Sequence, residues 1–262
     1  MIIDVVTPYP LDSTRGNTVS AQRIRSLLQQ ASYEAHCHCN RDYSPSSSSD
    51  LLIALHARKS DRAIQAYLGS DTNGNKKPLV VLLTGSDLHH DISSGGQDSK
   101  ICLHNMEQAD ALVLCQSNSA NAVPPLYLDK LHVIEKSVSP EFFSAALEPR
   151  LSITKPLRLC ILAHLRAVKN PQLAAQALRL LPENVDIQID HYGEVDDQAL
   201  KIWAEKENLN NPRWNWKGAV PRSNIPKILP HYHLSLNTSD VEGGANSIAE
   251  SIAAGIPVIA SI

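Results

Sequence analysis

Short apolar runs alternate with longer amphipathic stretches along the whole chain. Ile2–Val6, Leu51–Leu55, Leu79–Leu83 and Ala111–Cys115 are almost wholly apolar. Such runs fit strands buried on both faces of a parallel sheet. Between them the spacing predicts helices over Thr18–Gln30, Asp61–Leu68 and Lys100–Gln108. Polar loops rich in Ser, Gly, Asn and Pro fall at Ser44–Ser49, Asp71–Lys77 and Ser93–Ser99. Ser137–Pro156 carries three prolines and no clear period, which marks a connection between domains. The alternation then restarts. Strands are predicted at Leu157–Leu162, Val185–Asp190, Arg213–Trp216, His233–Leu236 and Pro257–Ala260, and helices at Pro171–Leu181, Asp197–Asn208, Ser223–Leu229 and Ala245–Ala254. The pattern predicts an α/β chain of two doubly wound, Rossmann-like domains, 1–145 and 146–262, with a ligand cleft between them. The chain ends at Ile262 straight after a strand, so the second domain is expected to be incomplete.

Composition narrows the picture. In 262 residues, 43% hydrophobic and 19% charged, there is enough apolar matter for buried cores. A net charge of −3 offers neither a nucleic-acid surface nor a polybasic membrane anchor. No apolar run reaches the ~18 residues of a membrane span. Met1–Pro8 reads as a first strand rather than a signal peptide. The five cysteines are an odd number, and reduced thiols in a cytoplasmic protein are the simplest expectation. His36-Cys-His-Cys39 has the residue types of a metal cluster. In a strand, however, Cys37 and Cys39 point one way and His36 and His38 the other, so a structural strand and no metal are expected. Trp203, Trp214 and Trp216 lack basic neighbours and are expected in the core or at a domain edge. No G-x-G-x-x-G follows Val6, which disfavours a nicotinamide or flavin dinucleotide, and no cofactor is expected.

The most informative segment is Glu242-Gly-Gly-Ala-Asn-Ser-Ile-Ala-Glu250. Ala245, Ile248, Ala249, Ile252 and Ala253 are spaced as one buried helix face. Gly255 ends the helix and Pro257 opens the next strand. Eight residues at helical rise span about 12 Å, the scale of a sugar nucleotide from hexose to ribose. Gly243 and Gly244 would let backbone approach a ligand, and the helix start at Ala245 and Asn246 would turn N–H groups toward a diphosphate. Glu250 is placed to take a ribose diol and Glu242 hydroxyls of the donor sugar.

This segment resembles the E-x7-E donor motif of glycosyltransferase family 4, a retaining GT-B family. Cys160-Ile-Leu-Ala-His-Leu-Arg-Ala-Val-Lys-Asn-Pro171 agrees with it. The family usually sets an arginine and, five residues on, a lysine there against the donor diphosphate. Here Lys169 matches the lysine, His164 holds the arginine position, and Arg166 is the candidate replacement charge. The resemblance implies a GT-B fold, a UDP-sugar donor, and Glu242, Arg166 and Lys169 as the catalytic set. Gly16 and Asn17, between the first strand and its helix, would face donor phosphates, while Asn17 also reads as a helix cap.

Four stretches are similar to a narrower branch, the selenosugar synthases of selenoneine biosynthesis: Leu51–Ser60, Leu79–Leu88, Ala163–Lys169 and Glu242–Asn246. That resemblance implies transfer of N-acetylglucosamine to selenophosphate. Many family 4 enzymes begin the segment that here reads Thr84-Gly-Ser-Asp87 with a histidine, and this chain lacks it. An anionic, already nucleophilic acceptor needs cations rather than a base. Arg58, with His56 and Lys59 after a predicted strand end, is expected to hold the acceptor phosphate, with Thr84 and Asp87 nearby. A thiol or alcohol acceptor, a UDP-sugar epimerase and a non-catalytic sugar-nucleotide-binding module remain alternatives.

Overall fold

The computed structural model describes residues 1–70, 77–145 and 156–261. Most of the expected loop Asp71–Lys77, half of the connector Ser137–Pro156, and Ile262 lie outside them. The chain divides into two compact units, one of 1–136 with Glu242–Gly244, the other of 137–241 with 245–262.

The first unit alternates strands and helices as the apolar pattern requires. Its elements are β1 (Ile2–Thr7), α1 (Gly16–Gln30), β2 (Glu34–Cys39), β3 (Leu51–Leu55), α2 (Asp61–Gly69), β4 (Leu79–Leu83), α3 (Gln97–Gln108), β5 (Ala111–Leu114) and β6 (Leu131–Val133). They form a six-stranded parallel sheet of order β2-β1-β3-β4-β5-β6. Strand residues alternate between two cores. Val6, Leu52, Ala54, Val81 and Leu112 pack with Ile64 and Tyr67 of α2 and Met106 of α3. Ile3, Val5, Ala35, Leu82 and Val113 pack with Ala21, Ile24 and Leu28 of α1. Each fully buried aliphatic side chain contributes about 1.5–3 kcal/mol, which is why unbroken apolar runs specify central strands. β6, short and half exposed, carries no such run.

The second unit holds α4 (Pro140–Ala145), β7 (Leu157–Leu162), α5 (Gln172–Leu180), β8 (Ile187–Tyr192), α6 (Gln198–Asn210), β9 (Trp214–Gly218), α7 (Ile225–Ile228), β10 (Leu234–Asn237), α8 (Asn246–Ala253) and β11 (Val258–Ala260). Its strands form a parallel sheet of order β11-β10-β7-β8-β9. Asp197 caps α6 by accepting from the N–H groups of Ala199 at 2.8 Å and Leu200 at 3.4 Å. Trp214 is fully buried and lies against Trp203, ring centroids 5.1 Å apart. The break between units falls at Lys136/Ser137, ahead of the expected 145/146. The reason is Phe142, which is buried with Cys160, Leu229, Tyr232 and Ile256 and ties α4 to the second core.

Candidate functional site

In each sheet the chain order diverges, at β1/β3 in the first and at β7/β10 in the second. Loops leaving the carboxyl ends of such strand pairs are where open α/β sheets bind ligands. In the second unit those loops are 163–170 and 238–241, and they are stitched together. Asp240 N–H donates to Val168 O at 3.0 Å, Thr238 Oγ1 to Lys169 O at 2.9 Å, and Asn170 Nδ2 to Asp240 Oδ1 at 2.9 Å. Lys169 and Arg166 are thereby held on a fixed backbone, and both are half-buried. Arg166 Nε lies 3.4 Å from Asp196.

His164, in the expected arginine position, accepts the Glu194 N–H at Nδ1 (3.2 Å), so its ring is braced by the β8 loop. Leu165 N–H donates to Glu194 O at 2.8 Å, continuing that bracing. Gly193 makes the approach feasible: a Cβ there would sit 1.9 Å from Ala163 O.

α8 starts at Asn246, with Ala245 extended at the N-cap and no side-chain oxygen to serve the first-turn amides. Its buried face differs from the expected one. Ile252 is 62% exposed, whereas Glu250, Ser251 and Ala254 are buried. The helix is rotated from the expected phase because Glu250 turns inward to Arg222 Nη2, and Ala254 joins the Phe142 cluster. Arg222, just past β9, also sits over the Phe142 ring, 5.9 Å from its centroid. No sequence motif singles out Arg222. Only the fold brings it to Glu250.

In the first unit, the β3 and β4 loops are organised by two buried polar side chains. The Asp87 carboxylate accepts from Thr84 N–H (2.9 Å), Gly85 N–H (2.8 Å) and Ala57 N–H (3.1 Å). His56, at φ 78°, accepts the Lys59 N–H at Nδ1 (3.3 Å) and donates from Nε2 to Ser86 Oγ (3.0 Å). Burial holds His56 below the ordinary 6.5, against the opposing pull of Asp87. Both were expected on the acceptor side. With 1% and 0% exposure they are interior groups that shape the loop instead. Thr84 is half-buried, its N–H committed to Asp87.

Arg58 is paired in two directions, Nε to Asp91 at 2.7 Å and Nη1 to Asp98 at 3.3 Å. Asp91 is buried and Asp98 is 47% exposed, so the second partner is the exchangeable one. Beside it the β1 loop contributes residues that sequence reasoning missed. Lys59 Nζ donates to Tyr9 OH at 3.1 Å, and the Arg15 guanidinium lies 4.5 Å from the Tyr9 ring centroid. Burial alone would raise the Tyr9 phenol, but Lys59 and Arg15 hold it below its ordinary value. The expected cap at Asn17 is not formed. α1 begins at Gly16 with Arg15 at the N-cap.

Glu242–Gly244 groups with this first unit. Gln116 Nε2 donates to Glu242 O at 2.7 Å. A Cβ at Gly243 would lie 2.3 Å from Thr84 C and O, and one at Gly85 would lie 2.5 Å from Gly243 N. The space expected for a ligand at Gly243 is thus filled by the Thr84–Gly85 backbone. Gly244, at φ 109°, leaves no room for a Cβ against Cys115 either.

Two parallel α/β sheets, each diverging beside a cationic loop, define the class: the fold is that of the GT-B glycosyltransferases. Residues 145–262 match the family model described as Glycosyl transferases group 1. Over that stretch the chain is similar to group 1 glycosyl transferases, and it is an enzyme of the glycosyltransferase class. Sucrose-phosphate synthase from Thermosynechococcus elongatus is similar in structure, with a TM-score of 0.76 at 11% identity over 99% of this chain and 80% of that one. Alr3699/HepE of Anabaena, solved with UDP, gives 0.65 at 16% identity over 99% and 80%. TarM of S. aureus, solved with alpha-GlcNAc-glycerol and UDP, gives 0.60 at 14% over 80% and 41%. No curated protein matches the sequence. Among the described residues no helix is long and apolar enough to cross a membrane.

Proposed function

We propose that the chain transfers N-acetylglucosamine from its UDP-sugar to selenophosphate, in a cytoplasmic reaction that needs no cofactor. The observation that carries sugar transfer is the group 1 match over 145–262, the stretch that holds Arg166, Lys169 and Glu250. UDP as the leaving group is supported by the complexes of HepE and TarM, and N-acetylglucosamine by the TarM ligand. Selenophosphate is supported by the four stretches shared with selenosugar synthases, and by the Arg58, Lys59 and Arg15 charges beside the β1/β3 divergence.

In this reading Lys169 and Arg166 neutralise the diphosphate as charge builds on the departing oxygen. Glu250, its orientation fixed by Arg222, takes the ribose hydroxyls, and Glu242 the sugar hydroxyls. His164 and the backbone of Gly16 and Asn17 border the donor, and the first-turn amides of α8 after Ala245 and Asn246 face the phosphates. The sugar C1–O bond breaks with its electron pair going to UDP, and selenium forms the new C1–Se bond. Water then cleaves the Se–P bond and releases phosphate. The acceptor phosphate replaces Asp98 at Arg58 Nη1, while Nε and Nη2 stay on the buried Asp91 carboxylate.

Mass spectrometry of products from UDP-N-acetylglucosamine, with selenophosphate, thiophosphate, cysteine or malate, tests this. A selenosugar with selenophosphate, and a KM for it raised about tenfold or more in Arg58→Ala, are expected. Product only with cysteine or malate would replace the acceptor assignment. Conversion of UDP-sugar with no acceptor present would make the enzyme an epimerase.

A further inference from the structure

The geometry points to a divalent transition-metal site on the first unit, formed by Asp4, His36 and His38. The residues come from adjacent strands. β2 is the edge strand and pairs parallel with β1, with Asp4 opposite His36 and Val6 opposite His38. Alternation along β2 puts both imidazoles on the face that Asp4 shares, while Cys37 turns into the opposite core. One ligand atom from each of the three residues lies within 4.8 Å of the others. His38 Nε2 is 3.1 Å and His36 Nδ1 is 4.0 Å from Asp4 Oδ1.

Ligand atoms around tetrahedral zinc, each about 2.0–2.2 Å from the ion, are roughly 3.4 Å apart. His38 Nε2 is already near that spacing, and His36 Nδ1 must move closer by about half an ångström. The fourth vertex is left to water, while Glu34, whose Oε1 lies 3.7 Å from His36 Nε2, is placed to accept from the ring nitrogen that faces away from the ion.

The carboxylate is built for the role. Asp4 is 4% exposed, and Tyr43 donates to its other oxygen, Oδ2, at 2.9 Å. That fixes the carboxyl plane, the way outer-shell partners orient metal ligands, and an ion would take Oδ1 in place of its hydrogen bond to His38 Nε2. Burial and the Asp4 charge raise the Tyr43 phenol, so it stays a donor. Burial would raise the Asp4 carboxyl, but the hydrogen bonds from His38 and Tyr43 outweigh that and hold it below the ordinary 3.8. Two imidazoles and one carboxylate select zinc and its first-row neighbours over magnesium or calcium. His36 at 51% and His38 at 34% exposure give an ion access from solvent.

Zinc titration of the chelator-stripped full chain by calorimetry tests the site, with cobalt absorption reporting coordination. One zinc per chain is expected. His36→Gln and His38→Gln should each weaken it by more than about tenfold, Tyr43→Phe by about tenfold, with circular dichroism unchanged. Cys39→Ser, on the other face of β2, should leave affinity intact. The two histidine variants decide the matter even if Asp4→Asn does not fold. No stoichiometric zinc heat would overturn the proposal, as would affinity untouched in both histidine variants or lost in Cys39→Ser.

Discussion

At the residue scale, the decisive features are places where one atom too many or one partner too few would be felt. Gly193 is the sharpest. Its missing Cβ is where the Ala163 carbonyl passes, 1.9 Å from the ideal position, between two backbones that cannot rotate away. Gly193→Ala is expected to cost about 1–3 kcal/mol or more, measured as a lower urea midpoint, and to loosen the His164–Lys169 loop it supports. A midpoint within error of the parent would show that the β7 and β8 loops do not approach this closely. Gly243 teaches a related lesson. Sequence reasoning gave it a ligand to accommodate, and the Thr84–Gly85 backbone occupies that space. A glycine in a sequence announces a close approach without saying to what.

At the scale of elements, β7 and β8 are pinned by His191, whose Nε2–H donates to Ala163 O at 2.8 Å from a fully buried position. Burial lowers this imidazole from the ordinary 6.5 to about 4. As pH falls, the unfolded chain takes up the proton first. The stability tied to neutral His191 is whole above pH 6.5 and is lost between there and about 4, a total on the order of 3 kcal/mol. His56 acts with the same sign. His191→Gln keeps a donor for the carbonyl and should flatten, without abolishing, the decline of urea midpoint with acidification. An unchanged slope would remove His191 from the account.

The same elements show what the sequence could disclose. Leu157–Leu162 is a strand in both readings because six apolar or amphipathic residues in a row leave few other places to be. β6 escaped because Leu-His-Val is too short and too exposed to carry a signal. The face of α8 was misphased because periodicity counts Ile252 as core and Glu250 as surface. An ion pair between buried Glu250 and the half-buried Arg222, 28 residues away, reverses that. The histidines of β2 were visible, but their carboxylate partner was not, since register between strands is absent from a one-dimensional pattern.

For the molecule as a whole, the α/β class and the two parallel sheets followed from alternation alone; the spacing of Glu242–Glu250 suggested a sugar nucleotide, while Arg166 and Lys169 entered as donor candidates only through motif resemblance. The structure adds the reason the motif residues sit where they do. Arg166 and Lys169 lie on a loop sewn to the strand end beyond β10, at the divergence of the second sheet. Calorimetric titration of UDP into the protein and into Lys169→Ala measures this most directly. Saturable binding to the parent, weakened about tenfold or more when one charge-assisted contact to phosphate is removed, is the expected result. No uridine-nucleotide heat, or equal affinity in the two proteins, would contradict it.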